Sequence, residues 1–241
     1  MTHGPGGPAT DLAVVTGASR GIGLAVAEEL VRSCARVVMV ARGGRALLDA
    51  AARLGANAAA LACDLADAEA VERAAARIRE EFGTPQIIVN NAGIFRLSTV
   101  EHTSVGDFTE ALLVNLVGPF AIVRAFLPEL HARRTGHIVT IGSIADHIAL
   151  PSNASYAASK YGVRALHEVL RAELRGTGVR TTLISPAAVD TRLWDAIDHV
   201  SNPGLPARAA MLAPEAVAAA VAFAIGQPAS VNVDELRLSR A

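Results

Sequence analysis

Short runs rich in Val, Ile and Leu alternate with longer helical patterns along the whole 241-residue chain. Most of these runs are almost continuously apolar, as expected for strands of a parallel sheet that helices cover on both faces. The alternation of strand and helix predicts right-handed βαβ units and a doubly wound parallel α/β fold with seven strands. The predicted strands cover residues 12–15, 36–40, 57–62, 86–90, 137–141, 180–184 and 231–238. The predicted helices cover residues 22–33, 44–54, 68–82, 105–134, 155–176 and 214–225.

The chain has no linker, and its length suits a single domain with a substantial core. We predict a flexible N-terminus over residues 1–10 and one domain over residues 11–241. Residues 187–213 interrupt the alternation of strand and helix for more than 20 residues. A connection of that length favours a functional lid over the substrate. A surface excursion without a role is the alternative.

The charge balance and the cysteine content exclude several classes of protein. A formal net charge of −1 provides no field that would attract nucleic acid or anionic lipid. Cys34 and Cys63 are too few for a disulfide framework, and none of the seven histidines forms a ligand pair, so we expect reduced thiols and no metal site. The longest apolar stretch, residues 216–225, is shorter than the ~20 residues that span a bilayer, and residues 1–10 lack the features of a signal peptide. These observations predict a cytoplasmic protein without a membrane or nucleic-acid partner.

A glycine-rich turn, Thr16-Gly-Ala-Ser-Arg-Gly-Ile-Gly23, joins the first predicted strand to the first helix. Glycine allows a pyrophosphate to approach the main chain, and the helix N-terminus offers free N–H groups and a partial positive charge. A glycine cluster alone is weak evidence, but its place after the first strand of a βαβ series makes the motif specific for a Rossmann-type dinucleotide site. The residues predicted to contact the cofactor here are Gly17, Ser19, Arg20, Gly21, Ile22 and Gly23.

The end of the second predicted strand indicates which dinucleotide binds. NAD-selective sites place a carboxylate there for the ribose 2′-hydroxyl, whereas a 2′-phosphate is bound by a guanidinium. In this chain the strand ends in Val-Ala41-Arg42, without a carboxylate. Arg20, in the glycine-rich turn, is a second candidate for the same phosphate. The sequence therefore predicts NADP(H) in preference to NAD(H).

Ser143, Tyr156 and Lys160 form a candidate catalytic group. Tyr156 and Lys160 are four residues apart and therefore lie on one face of a predicted helix. Ser143 follows the fifth strand at the sheet edge where open α/β sheets bind ligands. A phenol has a pKa near 10, and its use as a base near neutral pH requires about 4 kcal/mol of phenolate stabilisation. An ammonium about 4 Å away supplies a free energy of that order, so we predict that Lys160, with the oxidised nicotinamide ring, lowers the pKa of Tyr156.

Together these motifs resemble the short-chain dehydrogenases/reductases over nearly the whole chain. The resemblance extends to Asn-Asn-Ala-Gly at residues 90–93 and to Ser-Pro-Ala-Ala-Val-Asp-Thr at residues 185–191, where Ala187 stands in place of the usual glycine of the family. It implies that Ser143 polarises a carbonyl, that Tyr156 and Lys160 exchange its proton, and that Asn115 completes the catalytic group by supporting a water relay from lysine to solvent. Further cofactor contacts implied by the resemblance are Asp64, Leu65, Asn91, Ala92, Gly93, Tyr156, Lys160, Pro186, Val189 and Thr191.

The resemblance implies an NADP(H)-dependent oxidoreductase that interconverts a small-molecule carbonyl and an alcohol. Residues 231–236 resemble the C-terminal strand of the small NADP-dependent carbonyl reductases and 3-hydroxy acid dehydrogenases. A 3-oxoacyl-carrier-protein reductase remains an alternative, since Arg133, Arg134 and Arg175 would suit a carrier protein if they clustered at the site mouth. A non-catalytic NADP(H)-binding regulator is a second alternative. The family also implies a homodimer or homotetramer formed through the helices that carry Asn115 and Tyr156, although packing on their own sheet explains the same apolar faces.

Several further residues are candidates for the substrate pocket on the basis of position alone. Phe95 and Arg96 follow the Asn-Asn-Ala-Gly motif, and His147 follows the Ser143 loop. Trp194 and His199 lie in the predicted lid.

Overall fold

The computed structural model describes residues 11–33, 35–195, 197 and 204–241. The predictions for the flexible N-terminus at residues 1–10, for the Cys34 thiol and for His199 lie outside these residues. The described cysteine, Cys63, is a buried free thiol, and burial raises its pKa to about 11, with the nearby carboxylates of Asp64 and Asp67 adding to the shift.

Seven strands and seven α-helices alternate along the described chain, except that α4 and α5 both lie between β4 and β5. The strands are β1 (Leu12–Thr16), β2 (Arg36–Ala41), β3 (Ala58–Ala62), β4 (Ile87–Asn90), β5 (Gly136–Ile141), β6 (Val179–Pro186) and β7 (Glu235–Leu238). The helices are α1 (Gly21–Arg32), α2 (Arg45–Leu54), α3 (Ala68–Glu81), α4 (Val105–Leu112), α5 (Gly118–Arg133), α6 (Ala154–Glu173) and α7 (Pro214–Ile225).

All seven strands form one sheet in the order β3-β2-β1-β4-β5-β6-β7, and each neighbouring pair is parallel. This arrangement confirms the predicted doubly wound parallel fold. The strand order reverses between β1 and β4, and such a switch point leaves a crevice at the carboxyl ends of the strands where ligands bind. The segments that follow β1, β4, β5 and β6 therefore converge on one edge of the sheet.

The two faces of the sheet carry separate apolar cores, because successive side chains of a strand point to opposite faces. Ala13 and Val15 of β1 belong to a cluster with residues of α1, α2 and α7. Leu12 and Val14 belong to a second cluster with residues of α3, α5 and α6. The nearly continuous apolar character of the strands thus follows from helices on both faces, as predicted.

The structure departs from the predicted elements at two places. The predicted helix over 105–134 is interrupted by a π-helical turn at Leu113–Val117, which contains Asn115. The last strand begins at Glu235 instead of residue 231. Before that point, the side chain of Asn232 bonds the backbone of Thr181. It accepts from the Thr181 amide at 2.9 Å and donates to the Thr181 carbonyl at 3.0 Å. A side chain therefore replaces the strand ladder at that point.

One described stretch, Val105–Arg133, is long and apolar enough to cross a membrane by length and composition alone, with a mean hydropathy of 1.8 in an 18-residue window. It is not the longest uninterrupted apolar run of the sequence, residues 216–225, because charged residues such as Arg124 interrupt it. In the fold, its second half is α5, and Ile122 and Phe126 of that helix are completely buried in the core beneath the sheet.

The segment predicted as a lid, residues 187–213, follows β6. Its described part contains two short 3₁₀ helices, Arg192–Trp194 and Arg208–Ala210. An isolated bridge between Val189 and Leu212 ties its two ends together. The segment is therefore a closed loop whose ends are fixed at the carboxyl edge of the sheet, and its role as a lid stays a prediction.

Candidate active site

The glycine-rich turn and the Asn-Ala-Gly motif form one unit at the switch point. The hydroxyl of Thr16 accepts hydrogen bonds from the amides of Asn91 and Ala92 at 3.0 and 3.1 Å, and the Asn91 side chain donates to the Thr16 carbonyl at 2.8 Å. Gly17 has a left-handed φ of +67°, and a Cβ there would lie 2.8 Å from the Cα of Ala92. A side chain at Gly23 would lie 2.4 Å from the Asn91 amide group. Glycine is thus required at both positions by close packing.

A cavity of about 930 Å³ opens at this edge of the sheet, within the size range of small-molecule and cofactor sites. All predicted cofactor residues except Gly23 lie on its wall, whereas Gly23 packs beneath the turn. Of the predicted catalytic residues, Asn115 does not reach the wall. The predicted residues that line the cavity are Gly17, Ser19, Arg20, Gly21, Ile22, Arg42, Asp64, Leu65, Asn91, Ala92, Gly93, Ser143, Tyr156, Lys160, Pro186, Val189 and Thr191.

One end of the cavity is rich in arginine. Arg20 and Arg42 line it and are exposed, and neither guanidinium has an ion-pair partner among the described residues. Arg53 of α2 lines the same end. Asp49, a further lining residue, is bound to Arg45 at 2.8 Å. Three guanidiniums beside the glycine-rich turn suit a ligand that carries several phosphate groups.

Ser143, Tyr156 and Lys160 meet at the other end of the cavity. Ser143 interacts with Tyr156 through a side-chain hydrogen bond. The ammonium of Lys160 lies 5.6 Å from the centre of the Tyr156 ring and donates to the carbonyl of Ile141 at 2.8 Å. Lys160 is the only lysine in the chain, which otherwise uses arginine for its basic residues. A phenol, a hydroxyl and an ammonium therefore surround one point on the wall, as transfer of a proton to a carbonyl oxygen requires.

Comparison with known proteins identifies the family to which this arrangement belongs. The family model described as short chain dehydrogenase matches residues 11–201. The chain belongs to the short-chain dehydrogenase family. A D-threitol dehydrogenase from Mycolicibacterium smegmatis is 41% identical to this chain over 194 residues, which is 76% of this chain and 74% of that protein.

Two further proteins match this chain over nearly their whole length. A 3-oxoacyl-[acyl-carrier-protein] reductase from Salmonella typhimurium is 32% identical over 227 residues and 93% of each chain. The structure of an alcohol dehydrogenase from the archaeon Thermococcus sibiricus, complexed with 5-hydroxy-NADP, superposes with a TM-score of 0.84 at 32% identity and covers 95% of each chain.

Burial is the largest influence on the pKa values of Tyr156 and Lys160. Burial raises the pKa of Tyr156 to about 12, the hydrogen bond with Ser143 acts in the opposite direction, and the Asp146 carboxylate raises it further. Burial lowers the pKa of Lys160 to about 8, while Asp146 acts to raise it. Desolvation of the phenolate therefore dominates the pKa of Tyr156 here, and the predicted lowering of that pKa by Lys160 together with the oxidised nicotinamide ring stays a prediction.

Asn115 supports the catalytic residues from behind the wall. Its side chain accepts from the amide of Ile94 at 2.8 Å and donates to the carbonyl of Ile94 at 3.0 Å. It also donates to the Ser159 hydroxyl at 2.9 Å, which in turn donates to the Tyr156 carbonyl at 2.7 Å. Asn115 thus fixes the segment after β4 to the first turns of α6. These bonds occupy its side chain, and its predicted part in a water relay stays a prediction.

Asp146 holds the loop that carries Ser143. Its Oδ2 atom accepts from the Ser143 amide at 3.1 Å and from the Ser185 hydroxyl at 2.7 Å, and its side chain is completely buried. Gly142 is required beside it, since a Cβ there would lie 2.3 Å from the carboxylate. Asp146 was not predicted from the sequence, although an acidic residue three positions after a serine is the signal of a capping box.

An ion-pair cluster continues from Asp146 towards β7. Its other carboxylate oxygen lies 3.1 Å from His147 and 3.5 Å from Arg164. Arg164 binds both carboxylate oxygens of Glu235, at 2.8 and 3.1 Å. His147 also contacts Glu235 at 2.8 Å, and it does not line the cavity. The possibility that His147 faces substrate is therefore not realised in this structure, because the histidine belongs to this cluster.

Aromatic side chains flank the catalytic tyrosine. The Phe95 ring packs edge-on against Tyr156, with centroids 4.8 Å apart, and against Trp194 at 5.2 Å. Both Phe95 and Trp194 line the cavity. Arg96, by contrast, pairs with Asp107 and Glu110 away from the wall. The catalytic phenol is thus bordered by an apolar, aromatic surface.

Ala187 causes no backbone strain at the position where the family usually has glycine. The non-glycine residues with a left-handed φ in the described part of the chain are Arg134 and Ser152, so Ala187 has an ordinary φ. Its amide donates to the Leu238 carbonyl at 2.8 Å, and the residue lines the cavity. The path of the segment along the cavity therefore does not depend on glycine.

The cavity wall also includes polar and charged residues that were not predicted from the sequence, among them Asn153 and Arg53. Asn153 precedes α6 at its N-cap position, and an asparagine just before a predicted helix is a recognisable signal. Arg53 lies one turn after Asp49 on α2, and only the position of that helix beside β2 reveals that it faces the cavity.

Proposed function

We propose that this chain is an NADP(H)-dependent carbonyl reductase or alcohol dehydrogenase. The observation that carries the proposal is the convergence of Ser143, Tyr156 and Lys160 on one end of a cavity whose other end carries Arg20 and Arg42. Membership of the short-chain dehydrogenases supports oxidoreductase activity. The NADP-type ligand in the Thermococcus sibiricus alcohol dehydrogenase supports the choice of cofactor.

Bound NADPH would supply a hydride to the carbonyl carbon. The hydroxyl of Ser143 donates a hydrogen bond to the carbonyl oxygen and stabilises its developing negative charge. Tyr156 transfers its phenolic proton to that oxygen, and its raised pKa keeps the proton available at neutral pH. Lys160 stabilises the resulting phenolate as an adjacent positive charge.

The residues at the arginine-rich end fit a phosphorylated dinucleotide. Left-handed φ values of +67° at Gly17 and +56° at Gly21 open the turn for a pyrophosphate. The unpaired guanidiniums of Arg20 and Arg42 suit a 2′-phosphate, and no carboxylate stands at the end of β2. Asp49 lies on the same wall but is bound to Arg45.

A Tyr156→Phe variant tests the catalytic proposal. Turnover should fall by more than about a hundredfold, since the proton donor is lost, while NADPH binding measured by fluorescence titration stays within about threefold. Tyr161→Phe is the matched control. Normal reductase activity in Tyr156→Phe would show that another group protonates the substrate.

An Arg42→Asp variant tests the cofactor proposal. The substitution should weaken NADPH far more than NADH, because it replaces a phosphate-binding cation with a carboxylate that suits a ribose hydroxyl. Equal losses for the two cofactors would refute the assignment. Arg73→Asp, at an exposed position of α3 that does not line the cavity, serves as the control.

A 3-oxoacyl-carrier-protein reductase is the second candidate, since a relative with that name is 32% identical. A carrier protein would need a basic surface at the mouth of the cavity. Arg134 and Arg175 instead border a separate cavity, beside Gly136 and Val179, where β5 and β6 begin. The catalytic residues lie at the opposite ends of these strands, so the arginines do not favour this candidate. A non-catalytic regulator is also disfavoured, because both Tyr156 and Lys160 are retained.

We further propose that the protein acts in the cytoplasm as a homodimer or homotetramer. Apolar side chains on the helices that carry the catalytic group are partly exposed, including Phe120 on α5 and Tyr161 and Val169 on α6. Exposed apolar side chains on α5 and α6 suit association with a second copy.

A further inference from the structure

Phe95 lies between the catalytic tyrosine and the segment after β6. Its ring packs edge-on against the Tyr156 ring, with centroids 4.8 Å apart, and against the Trp194 ring at 5.2 Å. All three residues line the cavity. They come from the segment after β4, from α6 and from the segment after β6, so the fold assembles this aromatic surface from separate parts of the chain. The surface borders the point where the proton of Tyr156 is transferred.

The backbone of Phe95 is held on both sides. The preceding residue, Ile94, exchanges two hydrogen bonds with the Asn115 side chain, at 2.8 and 3.0 Å. The following residue, Arg96, pairs with two carboxylates of α4, each at 2.7 Å. Both neighbours are thus bound to other elements, while Phe95 between them contributes to the cavity wall. A side chain whose backbone is fixed in this way is preorganised to contact a ligand.

Large apolar side chains surround the aromatic surface. Among those that line this end of the cavity are Leu97, Val114, Ile144, Leu150, Leu193 and Leu205. Ile144 and Leu150 remain 41% and 49% exposed. Large apolar side chains that stay accessible on a concave surface are typical of ligand sites.

Few polar side chains at this end are free to bind a substrate. Apart from Ser143 and Tyr156, the polar residues Lys160, Asn91 and Thr191 are each hydrogen-bonded to backbone groups, at 2.8, 2.8 and 3.3 Å. The Asn153 residue is only 4% exposed and offers almost no surface. A substrate with several hydroxyl groups would lose their hydration without gaining an equal number of partners, which is unfavourable.

The charged residues of the wall are concentrated at the cofactor end. Of the seven that line the cavity within the described residues, five follow β1, β2 or β3, and the other two are Lys160 and Arg192. Arg192 is exposed, and an exposed ion pair contributes little free energy. A substrate carboxylate would therefore gain little at this end of the cavity.

We propose that Phe95 determines the substrate class by packing against an aromatic group of the substrate. The substrate is an uncharged ketone that carries an aryl group, or the corresponding secondary alcohol in the oxidative direction, and polyols and keto acids are poor substrates. This inference rests on the proposed function and names its substrate class. In the reduction, the carbonyl carbon accepts a hydride from NADPH and the carbonyl oxygen accepts the Tyr156 proton, whereas the aryl group is unchanged.

Four ketones built on one four-carbon skeleton provide the test: 2-butanone, 4-phenyl-2-butanone, erythrulose and 3-oxobutanoate. The last three add a phenyl group, hydroxyl groups and a carboxylate to the first. The phenyl group is not conjugated with the carbonyl, so it changes binding more than carbonyl reactivity. The wild type should reduce 4-phenyl-2-butanone with a kcat/KM about thirtyfold or more above that of 2-butanone, the ratio expected from burial of one phenyl ring. Erythrulose and 3-oxobutanoate should not exceed 2-butanone.

Three variants locate the preference. In Phe95→Ala the ratio of the phenyl ketone to 2-butanone should fall below about threefold, because the ring that contacts the phenyl group is lost. Phe95→Leu keeps an apolar side chain and should give an intermediate ratio. Phe223→Ala removes a 56% exposed ring of α7 that does not line the cavity and should keep the wild-type ratio. Because each value compares two substrates on one variant, a general loss of folding or cofactor binding does not mimic the result.

Several results would overturn the proposal. A wild-type ratio near one, or a ratio that survives in Phe95→Ala, would show that Phe95 does not select the substrate. A preference for erythrulose or for 3-oxobutanoate over the phenyl ketone would also overturn it. Loss of a preference for 3-oxobutanoate in Arg192→Gln would assign a carboxylate site to Arg192 instead.

The outcomes separate this inference from the proposed function. Reduction of the ketones without a phenyl preference, abolished in Tyr156→Phe, overturns the role of Phe95 and leaves the proposed function intact. Lack of NADPH-dependent turnover across a panel of aldehydes, ketones, 3-hydroxy acids and 3-oxoacyl thioesters overturns both.

Discussion

The carboxylate of Asp146 accepts a hydrogen bond from the Ser185 hydroxyl at 2.7 Å, and so joins the loop after β5 to the end of β6. The same carboxylate oxygen holds the backbone of Ser143. Pro186, which lines the cofactor cavity, follows Ser185 directly. The position of the catalytic hydroxyl relative to the cofactor segment therefore depends on a buried carboxylate that lies off the cavity wall.

Replacement of Asp146 by alanine should lower the free energy of unfolding by about 2–4 kcal/mol. The substitution leaves the Ser143 amide and the Ser185 hydroxyl without their buried acceptor. Urea denaturation followed by circular dichroism measures the loss. Glu72→Ala removes an exposed carboxylate paired with Arg124 and should have little effect; equal losses in the two variants would contradict a structural role for Asp146.

The amine of Lys160 should titrate near pH 8 in the cofactor-free protein, because burial lowers its pKa to about that value. As the only lysine of the chain, it can be followed by pH-dependent acylation and peptide mass spectrometry, separately from the terminal amine. Asp146→Asn should shift the midpoint to lower pH, since the carboxylate acts to raise this pKa. A midpoint above pH 10 would show that the ammonium is well solvated.

The phenol of Tyr156 should ionise only near pH 12 in the cofactor-free protein. The chain has two tyrosines, so a Tyr161→Phe variant isolates its absorbance change. Adding Ser143→Ala should raise the midpoint further, because the Ser143 hydrogen bond lowers the pKa. Titration of the remaining phenol at pH 10 would mean that burial has no influence on it.

Glu235 should contribute stability that is lost in acid. Hydrogen bonding to Arg164, more than any other contact, lowers the pKa of Glu235 from 4.5 to about 2. A depressed carboxyl pKa stabilises the folded state above pH 4.5, and the contribution disappears as pH falls towards 2. Thermal unfolding between these values should therefore depend less on pH in Glu235→Gln than in the wild type. An unchanged pH dependence in Glu235→Gln would exclude Glu235 as its source. Glu101→Gln removes an exposed carboxyl and is the control, which should keep the pH dependence of the wild type.

Phe120→Glu should dissociate the proposed oligomer, since a charge at an apolar contact is costly to bury. Phe120 is 48% exposed on α5. Light scattering coupled to size-exclusion chromatography would show a fall in mass to that of one chain. Leu48→Glu, at a 60% exposed position on α2, is the control and should leave the mass unchanged. Dissociation by Leu48→Glu and not by Phe120→Glu would place the interface at α2 instead of α5.

The fold was predictable because its signal is repeated along the chain. Most of the β-strands carry the same nearly continuous apolar pattern, and the glycine-rich turn from Thr16 to Gly23 follows the first strand directly. Ser143 was predicted because it follows the end of a strand. Tyr156 and Lys160 were predicted because residues four apart lie on one face of a helix. Most residues predicted to bind the cofactor belong to short motifs of the same kind, such as the glycine-rich turn and Asn-Asn-Ala-Gly.

The supporting residues were not predictable in the same way. Asp146 accepts a hydrogen bond from Ser185, which is 39 residues away in the sequence, and no local pattern predicts that contact. The effect of burial on Tyr156 depends on packing by Phe95 and other neighbours that only the fold brings together. Asn115 was named by resemblance, but its contacts with Ile94 and Ser159 required the structure.

The π-helical turn at Leu113–Val117 makes the chain intolerant of a change in length at one specific place. Such a turn holds one residue more than a regular α-helical turn, and each residue corresponds to a rotation of about 100° around the helix axis. Deleting a single residue there would allow α4 and α5 to merge into a continuous helix. It would also rotate Asn115 away from Ile94. A deletion that makes the helix more regular would therefore break the hydrogen bonds by which Asn115 joins the segment after β4 to α6, the helix that carries Tyr156.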